Sequence, residues 1–151
     1  MIGISSCLAG ENCTYRGDSN LIPMLKELYE KGQAVLICPE VLGGLPITRD
    51  PAEITSEYPL RVTTCKGVDV TGFYQEGARK AFELLKNKKI TVVILKSNSP
   101  SCGAGSIYDG TFSHTCITND GIFARLLRQN GIELVTEKET EKIRKIIEEV
   151  L

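Results

Sequence analysis

Six cysteines punctuate this 151-residue chain, at positions 7, 13, 38, 65, 102 and 116, and they are its most chemically consequential residues. That density is below the 8–10% or more of a disulfide-stapled secreted scaffold. In a reducing compartment such thiols serve as metal ligands, catalysts or small core residues. Three of them follow stretches that read as strands: Cys7 after Ile2 to Ser6, Cys38 after Ala34 to Ile37, and Cys102 in the loop after Ile90 to Leu95. Each is embedded in turn chemistry: Cys7-Leu8-Ala9-Gly10, Cys38-Pro39-Glu40, and Ser99-Pro100-Ser101-Cys102-Gly103. Three soft sulfur donors favour an iron–sulfur group, zinc or cuprous ion over magnesium or calcium. No Cys-x-x-Cys run of the ferredoxin or zinc-ribbon kind is present, so three separate buried thiols stand as the alternative on placement alone.

The elements that must position these thiols alternate strand and helix. The opening Ile2 to Ser6 reads as a short buried strand. From Ser19, apolar Leu21, Leu25, Leu28 and Tyr29 recur at helical spacing, with Asp18 or Ser19 as N-cap and Gly32 just past the end. Ala34 to Ile37 is a continuous apolar run suited to a parallel strand covered on both faces, and Pro39 ends it. Residues 39–59 are expected to be a long irregular segment. Leu60 to Thr64 and Val68 to Thr71 read as two extended pieces around the Cys65-Lys66-Gly67 turn. A helix over roughly 72–88, with Ala78, Ala81, Phe82 and Leu85 on one face, leads into Ile90 to Leu95, the clearest buried strand. After an irregular stretch from Ser97 to Gly110, Ile122, Phe123, Leu126 and Leu127 predict a helix ending at Asn130-Gly131. Glu133 to Val135 form a last strand. Thr136 and Glu139 have capping-box spacing ahead of an amphipathic helix bearing Ile143, Ile146, Ile147 and Val150. The expected fold is α/β: one layered domain over 1–151, a mostly parallel sheet flanked by helices, and a site at the strands' carboxyl ends.

Composition narrows the partners. Eighteen Lys and Arg against 19 Asp and Glu give a net charge of −1, and the pI is near 5.9. That balance lacks the basic excess of a nucleic-acid binder and favours a small-molecule partner. The apolar runs are far short of the roughly 20 residues that cross a bilayer. Neither a basic region nor a long apolar stretch opens the chain, so the cytoplasm is the expected location. Gly103, Gly105 and Gly110 do not open a helix with the dinucleotide fingerprint, and the charges between Glu137 and Glu149 read as the solvated face of the last helix.

Several segments together resemble a known family: Ser6-Cys7-Leu8-Ala9-Gly10, Cys38-Pro39-Glu40-Val41-Leu42-Gly43-Gly44-Leu45-Pro46, Pro51-Ala52-Glu53-Ile54, and Ser99-Pro100-Ser101-Cys102-Gly103 with Ile107-Tyr108-Asp109-Gly110-Thr111-Phe112. In this order, over nearly the whole chain, they are similar to the family catalogued as domain of unknown function 523. Its characterised members are thiouracil desulfidases that use a 4Fe-4S cluster held by three cysteines. The resemblance implies Cys7, Cys38 and Cys102 as cluster ligands and a thiolated pyrimidine as substrate. With three protein thiolates, one iron is left open to a thiocarbonyl sulfur, and it acts there as a Lewis acid while water replaces the sulfur.

Protons must move in such a reaction, which makes Glu40, two residues after Cys38, and Ser101, immediately before Cys102, the candidate catalytic residues. Their structural alternatives are a salt-bridged acid and a turn-stabilising hydroxyl. Cys13 opens a segment, Cys13-Thr14-Tyr15, after which the family pattern has Asp-Gly where this chain has Arg16-Gly17-Asp18. The resemblance therefore assigns no substrate role to Asp18. Cys65 and Cys116 are expected to be structural thiols. His114 stands where the family often has glycine and is expected to be a surface or satisfied loop histidine. The competing functions are a different sulfur transfer at the same open iron, or a non-catalytic metal- or small-molecule-binding module.

Overall fold

The fold is a computed structural model that describes residues 1–150; Leu151, the last residue of the expected domain, lies outside the described residues. Four strands form an all-parallel sheet: β1 (Ile2–Ser5), β2 (Ala34–Ile37), β5 (Val92–Leu95) and β8 (Glu133–Thr136), in the order β2-β1-β5-β8. The order turns around at β1, so helices cover both faces. Alternation along β5 divides the core in two. Val93 and Leu95 pack with Ile37 against α3 (Thr71–Asn87) and α4 (Ile122–Gln129). Ile94 joins Ile2, Ile4 and Val135 against α1 (Pro23–Glu30) and α5 (Thr140–Val150). Both faces of each inner strand are thereby dry, which is why β5 reads as an unbroken apolar run rather than an alternating one.

Several boundaries differ from the sequence reading, for local reasons. Helix α1 starts at Pro23, not near Ser19. Proline's fixed φ suits the first helical position, and the residue before it, Ile22, is held extended. Leu21 is therefore outside the helix and exposed. The stretch 39–59 is not wholly irregular: it holds a one-turn helix, α2 (Pro39–Leu42), again begun by proline, and β3 (Ala52–Glu57). Strand β3 pairs antiparallel with β4 (Leu60–Thr64), a partnership that outweighs the expected one between residues 60–64 and 68–71. The latter segment does return along β4, through a Thr63–Asp69 bridge and the bond from Val70 N–H to the Val62 carbonyl, without becoming a strand. A two-stranded ribbon, β6 (Ile107–Tyr108) with β7 (Cys116–Ile117), was not anticipated. Glu139 does reach back to the Thr136 N–H, as its capping-box spacing implies, but α5 begins one residue beyond it.

Two contacts fix the edge that matters. After β5, the Ser97 N–H and hydroxyl both donate to Glu137, at 2.8 and 2.5 Å, and Lys96 Nζ lies 3.4 Å from the same carboxylate. These bonds tie the ends of β5 and β8 together. At the other side of the sheet, α2 lies against α3 main chain to main chain. A Cβ on Gly77 would sit 1.9 Å from the Pro39 carbonyl oxygen, and one on Gly43 would sit 2.0 Å from that of Phe73. Only glycine allows such an approach. Gly77→Ala must push α2 off α3, with an expected loss of about 1–3 kcal/mol in urea unfolding. Gly72→Ala, in the same helix where an added Cβ meets nothing within 4 Å, serves as control and is expected to be neutral or stabilising by about 0.5–1 kcal/mol.

Candidate functional site

Cys7, Cys38 and Cys102 all lie above the carboxyl edge of the sheet. Cys7 lies in the 3-10 turn Ser6–Ala9 that follows β1, Cys38 follows β2 and caps α2, and Cys102 lies in the loop after β5. Strands β2, β1 and β5 are neighbours, about 4.8 Å apart, so loops leaving them emerge side by side. Cys7, Cys38 and Cys102 line one cavity of about 530 Å³, together with Glu40, Arg49, Lys96 and Ser99. Among the described residues no three His, Cys, Asp or Glu side chains stand close enough to enclose a single ion. The thiols face a shared space instead.

A fourth thiol is present that sequence reasoning left without a role. Cys13 is buried on the same cavity, and its carbonyl oxygen lies 3.9 Å from Cys38 Sγ. Side-chain contact between the two thiols acts on both. It raises the Cys13 thiol above its ordinary range and, against burial, lowers that of Cys38. Burial pushes the Cys7 thiol up, opposed by a hydrogen bond with Asn20. Burial also pushes Cys102 well up, and the Glu40 charge adds to it. Thiols of this kind stay protonated until a cation is brought among them, and binding it releases their protons.

Glu40 projects from the first turn of α2 into this setting. Its Oε2 lies 3.6 Å from Cys38 Sγ and 3.8 Å from Arg49 Nη2, and its Oε1 accepts a 3.2 Å hydrogen bond from the Ser99 hydroxyl. The ion pair is largely desolvated, with side-chain exposures of 9% for Arg49 and 12% for Glu40. Arg49 also donates to the carbonyls of Pro46, Ile47 and Cys13. Its Nε is buried without a hydrogen-bond partner, so the corner retains an unspent preference for negative charge. Soft sulfur donors around an open space, backed by a buried guanidinium, fit a cationic iron–sulfur core whose thiolates leave it net negative.

The two expected catalytic residues fare differently in placement. Glu40 lines the cavity; Ser101 is fully buried, with its hydroxyl 4.0 Å from Cys102 Sγ. The Ser101 carbonyl accepts the N–H groups of Phe123 and Ala124 from the first turn of α4, which pins the loop. Ser99, two residues earlier in the same motif, is the hydroxyl that touches Glu40, and it also accepts the N–H groups of Ser101 and Cys102 at 3.0 Å each. Arg49 and Ser99 were missed in the sequence because their roles depend on partners 9 and 59 positions away. Asp18 bonds Thr14 and Arg16 and does not line the cavity. Cys65 and Cys116, expected to be structural thiols, are both exposed; Cys65 is on the cavity wall and Cys116 on β7. His114 is exposed as expected, yet lines the cavity beside Tyr108.

A parallel α/β sheet whose carboxyl edge gathers the loops that carry Cys7, Cys38 and Cys102 puts these thiols where open α/β sheets form their ligand sites. The chain belongs to the family whose model is described as 2-thiouracil desulfurase, which matches residues 2–139. It is 44% identical over 150 residues to an uncharacterized protein of Bacillus subtilis (strain 168), YbbK, a match spanning 95% of this chain and 99% of the other. Among solved structures it is similar to the [4Fe-4S]-dependent thiouracil desulfidase TudS, with a TM-score of 0.88, 37% identity and 97% of each chain covered.

Ser99 organises two backbone N–H groups and one carboxylate, so Ser99→Ala leaves buried donors unpaired. The expected loss is about 1–3 kcal/mol of stability by urea unfolding. Because the bond to the Cys102 N–H goes with it, iodoacetamide should label the otherwise buried Cys102 about tenfold faster in the variant, measured by peptide mass spectrometry.

Proposed function

We propose that this chain is an iron–sulfur-dependent desulfidase that removes sulfur from a thiolated pyrimidine such as thiouracil and releases it as sulfide. The observation that carries this reading is the convergence of Cys7, Cys38 and Cys102 on one cavity, above three adjacent parallel strands and beside a desolvated Glu40. Cys7, Cys38 and Cys102 would hold a 4Fe-4S cluster; bound there, it supplies an open iron as Lewis acid for the thiocarbonyl sulfur. The likeness to a desulfidase over nearly the entire chain supports the same assignment.

The overall exchange is hydrolytic: one water enters, the C=S bond becomes C=O, and the sulfur leaves with the two protons of water as hydrogen sulfide. No electrons are gained or lost. Glu40, whose Oε2 lies 3.6 Å from Cys38 Sγ, is the base that takes a proton from the attacking water. The Ser99 hydroxyl, 3.2 Å from Glu40 Oε1, extends that carboxylate into a relay toward the departing sulfur. Arg49 holds Glu40 from behind and offsets its negative charge beside Cys38. Ser101, sealed under the loop, keeps Cys102 in place and contributes to catalysis through that position. Lys96, restrained by Ser97 and Glu137, contributes a positive charge near Cys7 that favours its thiolate. The substrate is a small thiolated base, and the cytoplasm, where thiols stay reduced, is the setting that suits six unpaired cysteines.

Protein prepared without oxygen is expected to contain about four iron atoms and four acid-labile sulfides per chain. It should release sulfide from 2-thiouracil in step with uracil formation. Cys38→Ala is expected to lose both the iron and the sulfide release while retaining the far-ultraviolet circular dichroism of the unaltered chain. Zinc or no metal in the oxygen-free preparation would favour a binding module, and iron without thiouracil turnover would favour a different sulfur transfer.

A further inference from the structure

Part of the cavity wall comes from the loop joining β6 to β7, and sulfur removal as described above uses none of its side chains. Tyr108, Phe112 and His114 all line the cavity with the thiols. The Tyr108 and His114 rings meet edge to face, with centroids 6.1 Å apart and planes at 82°. In such a pair one ring spends its edge and keeps both faces free for a third.

The loop is also strained and braced. Phe112 and His114 both adopt left-handed backbone conformations, φ +58° and +59°, which glycine reaches without steric conflict and other residues avoid. The strain persists because the loop is pinned on β3. Buried Glu53 accepts the N–H groups of Gly110 and Phe112 at 2.9 and 3.2 Å. A Cβ on Gly110 would lie 2.6 Å from the Ile54 carbonyl oxygen, so loop and strand touch. A loop required only to turn would be relieved by glycine at 112 and 114; this one holds rings there. Strain of this kind, over-determined by its surroundings, is characteristic of ligand clamps.

We propose that Phe112 and His114, with Tyr108 edge-on to His114, form a stacking rim that selects a flat heteroaromatic ring over a puckered one. These are specificity-determining residues for the reacting ring. The inference rests on the desulfidase reading for the identity of that ring, a thiolated pyrimidine, while stacking itself can be measured without turnover.

The test uses oxygen-free holoprotein, unaltered and as His114→Gly and Phe112→Leu, with flat 2-thiouracil and non-planar 5,6-dihydro-2-thiouracil. In both variants KM for 2-thiouracil is expected to rise about tenfold while kcat changes by less than about twofold, the pattern of lost ring binding. The preference for the flat ring, as a ratio of kcat/KM values, should fall by a similar factor. Iron content should be unchanged, and Tm should be raised in His114→Gly because the left-handed strain is relieved. An unchanged KM in both variants, or equal losses for flat and puckered rings, overturns the inference. Equilibrium titration with uracil, which undergoes no reaction, separates this from the parent reading. If the unaltered chain binds uracil but does not desulfurate 2-thiouracil, the desulfidase reading fails and the stacking rim is judged on uracil affinities. Equal affinities in all three proteins, or no uracil binding by the unaltered chain, overturns it.

Discussion

Bringing three sulfur atoms from distant parts of a chain to one point requires that chain to arrive repeatedly at the same edge. A parallel sheet does this by construction, since every strand delivers its carboxyl end to one side and every crossover returns the chain to the other. Here β2, β1 and β5 deliver Cys38, Cys7 and Cys102 in spatial order. Helix coverage on both faces leaves that edge as the place where irregular backbone can collect. The dry packing of Val93 and Leu95 on one side and Ile94 on the other is therefore the foundation of the site as well as of the fold.

The electrostatics of the edge follow from burial. Thiols removed from water resist ionisation, and Cys7 and Cys102 show it. Cys38 departs from that pattern through its side-chain contact with Cys13, helped by the nearby Arg49 charge. The carboxylate of Glu40 would worsen the crowding of negative charge were it not backed by a guanidinium with little solvent access. Acid, base and thiol thus form one connected unit, in which removing a member alters the charge that the others experience.

Much of this was legible in the sequence. The apolar runs at 34–37 and 90–95 predicted buried parallel strands, and a cysteine directly after the first and another in the loop after the second predicted a shared edge. Local signals failed where partners were remote. Strand β3 has no strong periodicity of its own; it becomes a strand because β4 follows within a tight connection. Helix α2 is one turn long, too short to show periodicity, and is stabilised by backbone contact with α3. Glu40 could be read from its place two residues after Cys38, whereas Ser99 could not be preferred to Ser101: both are serines in one motif, and only the loop's bonds to α4 show which hydroxyl is sealed and which meets the carboxylate. Cys65 and Cys116 defied the usual preference of free thiols for the interior because each sits on an exposed hairpin element.

The glycine contact between α2 and α3 has an evolutionary implication. Where two main chains touch, there is no side chain to trim or enlarge, so the turn bearing Glu40 and the residue after Cys38 cannot be retuned by gradual substitution. The β6–β7 loop, by contrast, brings Phe112 and His114 to the cavity as side chains on a frame braced by Glu53. A seat held by main-chain contact is thereby set apart from a wall built of side chains, and only the second can be reshaped one residue at a time.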